Sequence, residues 1–184
     1  MKVDFNIILI GFMGTGKTAV GKRLATLLNK DFYDSDQEVE AVTSMTISKL
    51  FNKYGEVRFR SEENLAIKRL VKKENCILAT GGGFILDKKT IKLLAEKGIV
   101  ICLSARPDVI FERVKRRNNR PLLSKGNLYQ TILDLMEERE ELYNYADYCI
   151  DTSDMDFQEI IDKIISILQD HKNTNEDIPL SKEI

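Results

Sequence analysis

The 184-residue chain has no excess of either charge: 28 lysines and arginines stand against 29 aspartates and glutamates. Without a basic surplus it lacks the electrostatic footprint of a general nucleic-acid binder. Cysteine is scarce, and Cys76, Cys102 and Cys149 show no C-x-x-C spacing. That argues against zinc and disulfide frameworks, and the expectation is reduced thiols buried in the core of a cytoplasmic protein. No apolar run is long enough to cross a bilayer. Met1–Asp4 leads straight into an apolar run rather than a secretory leader. No repeat and no linker divides the chain, so its length implies one domain. Apolar residues on the helix faces are scattered, which makes a monomer with no membrane contact the default.

What is present is an alternation of continuous apolar runs with helical periodicity, the pattern of parallel strands joined by crossover helices. Strands are expected at Phe5–Ile10, Lys30–Tyr33, Cys76–Ala79, Ile99–Leu103 and Tyr148–Ile150. Helices are expected at Lys17–Leu28, Asp36–Val42, Ile47–Tyr54, Glu56–Lys73, Lys88–Lys97, Pro107–Arg116, Leu128–Tyr145 and Phe157–His171. Right-handed crossovers then give a three-layer α/β fold, an open parallel sheet with helices on both faces. A ligand belongs beyond the carboxyl ends of the strands. The basic break at about 117–127, with Pro121 and Gly126, has the composition of a lid within a domain spanning 1–171. The polar stretch Lys172–Ile184 is expected to be a frayed tail.

The strongest motif is Gly11-Phe-Met-Gly14-Thr15-Gly16-Lys17-Thr18, set between the first strand and the first helix. It is the G-x-x-x-x-G-K-[ST] loop, whose backbone N–H groups and helix N-terminus surround a polyphosphate. Gly14, Thr15, Gly16, Lys17, Thr18 and Ala19 are therefore candidate ATP contacts. Lys17 would reach the terminal phosphates and Thr18 would ligate Mg²⁺. A nucleoside triphosphate is implied, and the acceptor must be read elsewhere.

Asp34-Ser35-Asp36 places two carboxylates at a strand end, one suited to Mg²⁺ and one to a hydroxyl, although Asp36 also suits a helix N-cap. Thr80-Gly81-Gly82-Gly83 offers close backbone approach or a simple turn. Arg139 falls in the apolar stripe of its helix with Leu128, Ile132, Leu135, Met136, Leu142 and Tyr143. An arginine there calls for an anionic partner such as a carboxylate, unless its head snorkels to water. Arg60 is less telling, because Arg58 and Glu63 offer ordinary surface pairing. Arg120, in Arg120-Pro121-Leu122-Leu123, is a lid cation able to meet a transferring phosphoryl group, or a solvated loop residue.

Taken in order, these motifs resemble the shikimate kinase family, small nucleoside-monophosphate-kinase-like phosphate-loop enzymes. The resemblance runs from about Phe5 to Leu168. It rests on Gly11–Thr18, Asp34-Ser35-Asp36, Gly55–Arg60 with Glu63, Gly81–Gly83, Arg120-Pro121-Leu122, Arg139 and Asp151-Thr152. It implies a five-stranded parallel sheet ordered 2-3-1-4-5. It further implies ATP-dependent phosphorylation of the 3-hydroxyl of shikimate, in aromatic amino acid biosynthesis, with Mg²⁺ as cofactor. By the same resemblance Asp36 holds the ring hydroxyls and takes the proton of the attacking one, while Asp34 and Thr18 hold Mg²⁺. Arg60 and Arg139 grip the substrate carboxylate, Gly82 contacts the ring, Lys17 and Arg120 act on the phosphates, and Arg113 lies against adenine. Phe51 and Phe59 resemble walls of the pocket, a place core packing would also give them. The loop after Asp151-Thr152 lacks the family's usual proline, so no base contact is assigned within Ser153–Phe157. Ser35 stands where threonine is frequent, with its side chain expected to point away from substrate. A kinase for another small hydroxy acid such as gluconate, a nucleoside-monophosphate kinase and a catalytically silent binding protein remain as rivals.

Overall fold

The computed structural model describes residues 5–82, 88–115 and 127–176. Strand β1 (Asn6–Ile10) is buried at every position, as a continuous apolar run in a two-sided sheet must be. It pairs in parallel with β3 (Cys76–Ala79) and with β4 (Gly98–Ser104). The outer strands β2 (Asp31–Asp34) and β5 (Tyr148–Asp151) pair in parallel with β3 and β4. The order is β2-β3-β1-β4-β5, as the family resemblance implied.

Successive side chains on a strand face opposite ways, so β1 feeds two cores. Ile7 and Leu9 pack with Val20 and Leu24 of α1 (Lys17–Leu28) and with Ile161 and Ile164 of α7 (Phe157–Glu176). Ile8 and Ile10 pack with Ile67 and Leu70 of α3 (Ile47–Leu70) and with Ile91 and Leu94 of α4 (Lys88–Ala95). Short α2 (Ser35–Thr43) lies against α3, where Val39, Leu50, Phe59 and Ala66 form a separate cluster. Helices α5 (Pro107–Lys115) and α6 (Leu128–Tyr143) close over Phe12 and Met13 through Ile110, Val114 and Ile132.

The two helices expected on either side of Gly55 are both present within α3, parted by a kink at Gly55 itself. Its φ of 80 and ψ of 177 suit glycine and break the helical hydrogen-bond ladder at one residue. Helix α7 continues to Glu176 rather than stopping at His171. Phe5 and Tyr148 pack edge-on around His171, so the helix still has a partner at the point where it was expected to stop. Cys76 and Cys102 are buried as expected, but Cys149 is exposed. It sits on β5, the edge strand, where apolar composition in the sequence does not guarantee a covering helix. Gly83, Arg120 and the expected lid apart from Asn127 lie outside the described residues, as does the chain beyond Glu176. None of the described helices is long and apolar enough to cross a membrane.

Leu24 is wholly buried between α1 and the sheet. Leu24→Ala should therefore cost about 2–5 kcal/mol of unfolding free energy, read as a lower urea midpoint with an unchanged slope.

Candidate active site

The chain leaves β1 through a loop whose Gly14 and Gly16 have φ of 84 and 98. Gly16 is the N-cap of α1, and neither a capping side chain nor an acidic residue occupies its first turn. The first N–H groups of α1 and its positive dipole end therefore remain available to an anion. Thr15 fastens the loop by donating from Oγ1 to the Phe12 carbonyl at 2.8 Å. Lys17 Nζ is held in the loop, donating to the carbonyls of Gly11 at 2.6 Å and Phe12 at 2.9 Å.

Beside the loop, Thr18 Oγ1 donates to Asp34 Oδ2 at 2.8 Å, while Asp34 Oδ1 accepts the Asp36 N–H at 3.0 Å. The N-cap of α2 is therefore Asp34, one position before the helix, and not Asp36 as the capping alternative had it. Asp36 falls in the first turn and lines the cleft. A hydroxyl and a buried carboxylate next to a phosphate loop are hard oxygen donors of the kind Mg²⁺ prefers. Ser35 is fully buried and points away from the cleft, its Oγ accepting the Gly81 N–H at 2.7 Å.

That bond sets the glycine run against the carboxylates. A Cβ on Gly81 would lie 2.2 Å from Asp36 Oδ1 and 3.1 Å from Glu63 Oε1. One on Gly82 would lie 2.7 Å from the Met13 backbone, so the run is packed rather than merely flexible. Arg139, on α6, is 2% exposed and donates from Nη1 to the Gly82 carbonyl at 2.9 Å. Its guanidinium lies 5.6 Å from the Phe12 ring, while Nε has no partner among the described residues. The helical register correctly marked this side chain as inward-facing.

Arg60 pairs with the exposed Glu56 and with Glu63, which is buried rather than at the surface. The Arg60 side chain is 16% exposed, with Nη1 2.6 Å from Glu63 Oε2 and Nη2 3.0 Å from Glu56 Oε1. The guanidinium lies 5.2 Å from the Phe59 ring. Phe51 and Phe59 meet edge to face in the α2–α3 cluster, which is core packing.

Arg113 projects from α5 to Thr152, donating to its Oγ1 at 3.1 Å and to its carbonyl at 2.9 Å. The loop after Thr152 is held without proline. Arg106 grips Asp154 through both Nη atoms at 2.6 and 2.9 Å, and its N–H donates to Ser153 Oγ at 2.8 Å. This presents Met155 and Phe157 to the cleft, two residues the sequence reading did not assign. Their signal is an apolar pair in an otherwise acidic turn, with Phe157 47% exposed. The cleft, about 570 Å³, is lined by the loop from Gly14 to Ala19, Asp34, Asp36, Gly82 and Arg113. Among the described residues Arg60 and Arg139 do not line it; they adjoin it through Glu63 and the Gly82 carbonyl.

Glu63, whose spacing from Arg60 suggests a surface pair, is buried instead. Its side chain is 2% exposed, and Oε1 has no hydrogen-bond partner among the described residues. Burial pushes its pKa up to about 7, with Arg60 opposing and the Asp36 charge assisting. The folded protein thus keeps a proton that the unfolded chain releases near 4.5. That contribution to stability is full below about pH 4.5 and is lost as pH rises through about 7. Glu63→Gln should flatten the loss, so urea unfolding at pH 5 and pH 8 should show the variant gaining on the parent protein at the higher pH. Parallel pH profiles would contradict the burial argument.

Comparison with known proteins agrees with this geometry. The family model described as shikimate kinase matches residues 13–169. A shikimate kinase of Pelotomaculum thermopropionicum is 48% identical over 166 residues, covering 90% of this chain and 96% of its own. One from Thermodesulfovibrio yellowstonii is 48% identical over 160 residues, covering 87% and 92%. Among solved structures, shikimate kinase from Acinetobacter baumannii in complex with shikimate superposes with a TM-score of 0.87 at 39% identity, covering 91% of this chain and 94% of that one. A gluconokinase from Sinorhizobium meliloti, at 14% identity and a TM-score of 0.68 over 97% of this chain and all of that one, shares the fold alone. With the motif order, the sheet order and the family match in accord, the chain belongs to the shikimate kinase family.

Proposed function

We propose that the chain transfers the γ-phosphoryl group of ATP to the 3-hydroxyl of shikimate, giving shikimate 3-phosphate and ADP for aromatic amino acid biosynthesis. The observation that carries the acceptor assignment is Arg139. A guanidinium 2% exposed, with Nε unpartnered and no ion pair among the described residues, needs an anion to complete its surroundings. A substrate carboxylate supplies one, held bidentately and shared with Arg60.

The remaining roles are those the family resemblance implies, supported within the described residues by what lines the cleft. The loop N–H groups and Lys17 hold the ATP phosphates, and Arg113 lies along the base with Met155 and Phe157 opposite. Thr18 and Asp34 would hold Mg²⁺, which would supply positive charge to offset that of the phosphates. Asp36 accepts a hydrogen bond from the attacking hydroxyl and orients it toward the γ-phosphorus, with Gly82 against the ring. Arg120, outside the described residues, is given by the family resemblance the role of a cation where charge develops. The protein acts as a cytoplasmic monomer on small molecules, without nucleic acid or membrane.

Asp36→Asn should lower kcat by roughly 10²–10⁴-fold while leaving the ATP KM nearly unchanged. Retained turnover in steady-state assays would remove its role. Arg139→Ala should raise the shikimate KM at least tenfold, since a lost charge-assisted bond costs about 1.5–3 kcal/mol. Arg139→Lys, which keeps the charge but not the fork, should recover only part of it. An unchanged KM in both variants would place the carboxylate elsewhere.

A further inference from the structure

Cys102 and Cys149 stand opposite each other in register on the neighbouring strands β4 and β5. Paired positions share a sheet face and lie one strand spacing apart, about 4.8 Å. That is inside the Cα separation of about 4.4–6.8 Å that a disulfide accepts. Access differs between them: Cys102 is 1% exposed, whereas Cys149 is exposed at the sheet edge. Cys149 Sγ donates to Ser104 Oγ at 3.7 Å, on the face that Cys102 and Ser104 share along β4. The neighbouring Cys102 thiol and Ser104 draw the Cys149 pKa down to about 6 against burial, while Cys149 and burial push the Cys102 thiol up. An accessible thiol of lowered pKa beside a shielded one is the arrangement of an attacking and a resolving cysteine. Neither residue has a part in phosphoryl transfer.

We propose that Cys149 and Cys102 form an oxidisable dithiol, in which a peroxide reacts at Cys149 and Cys102 then closes a disulfide between β4 and β5. The Cys149 thiolate attacks one peroxide oxygen, the O–O bond breaks, and the other oxygen leaves as hydroxide. Cys149 is now a sulfenic acid. The Cys102 thiol gives its proton to that hydroxide, forming water. Its sulfur then displaces the sulfenic hydroxyl, which leaves with a solvent proton as a second water; the proton released when Cys149 first ionised balances it. In sum, two thiols lose two hydrogens and one hydrogen peroxide becomes two waters. Strand β5 is four residues long and pairs only with β4, so it can shift slightly without disturbing the rest of the sheet. Cys76 sits on β3, separated from β4 by β1, and reaches neither sulfur.

The three cysteines fall in separate tryptic peptides, which makes the test direct. The reduced, folded full-length chain is treated with stoichiometric hydrogen peroxide and read by intact mass and peptide mapping. The expected result is a loss of two hydrogen masses, a Cys102–Cys149 link, and reversal by dithiothreitol. Cys102→Ser should leave Cys149 as a sulfenic acid captured by dimedone, and Cys149→Ser should leave the remaining thiols reduced. A link through Cys76, a disulfide between two chains, or a Cys149 that stays unmodified or stops at an acid in the parent protein would overturn the proposal.

Discussion

All five strands run in parallel, so their carboxyl ends arrive at one edge of the sheet, and the site exists only because they do. Gly11 follows β1, Asp34 ends β2, Thr80 follows β3 and Ser104 ends β4. The register Asp34↔Ala79 sets the end of β2 beside the start of the glycine run. The Thr80 N–H then donates to the Leu9 carbonyl at 3.0 Å, tying that run to the strand that launches the phosphate loop. Segments far apart in sequence thus share one cleft without any long loop having to be ordered for the purpose.

On this frame the charges are grouped by sign around the cleft. The uncapped N-terminus of α1 and Lys17 face the polyphosphate side, while Asp34 and Asp36 stand at its margin. The buried Arg139 and the half-buried Arg60 lie on the far side, separated from the cleft by Gly82 and Glu63. Burial keeps Glu63 protonated up to about neutral pH, so it does not fully neutralise the neighbouring guanidinium groups. Under the proposed function, these two arginines in reduced dielectric, with an incomplete set of anions, would receive the carboxylate of the acceptor.

What the sequence revealed follows from how local each signal is. The phosphate loop is legible because its mechanics are contained in eight consecutive residues between a strand and a helix. Arg139 is legible because helical register alone turns it inward, and burial at 2% agrees. Glu63 is not, since three residues from Arg60 on a helix it has the pattern of an exposed pair. Only the packing of α3 against Gly81 and Asp36 buries it. Asp34 takes the capping role offered to Asp36 because helix starts are uncertain by one or two residues, and here a shift of two leaves Asp36 lining the cleft. Cys149 was misjudged because an apolar strand reads alike at the centre and at the edge of a sheet.

The central claim is that this cleft phosphorylates an acceptor bearing both a hydroxyl and a carboxylate, and that the acceptor is shikimate. The most direct measurement is ADP release by the purified chain with Mg²⁺ and ATP, comparing shikimate, gluconate, AMP and no acceptor. The account predicts turnover with shikimate and little ADP in the other three reactions, with shikimate 3-phosphate as the product. Turnover on gluconate or AMP in preference to shikimate would contradict the assignment of Arg60 and Arg139. ATP binding without turnover on any of them would contradict the catalytic reading itself.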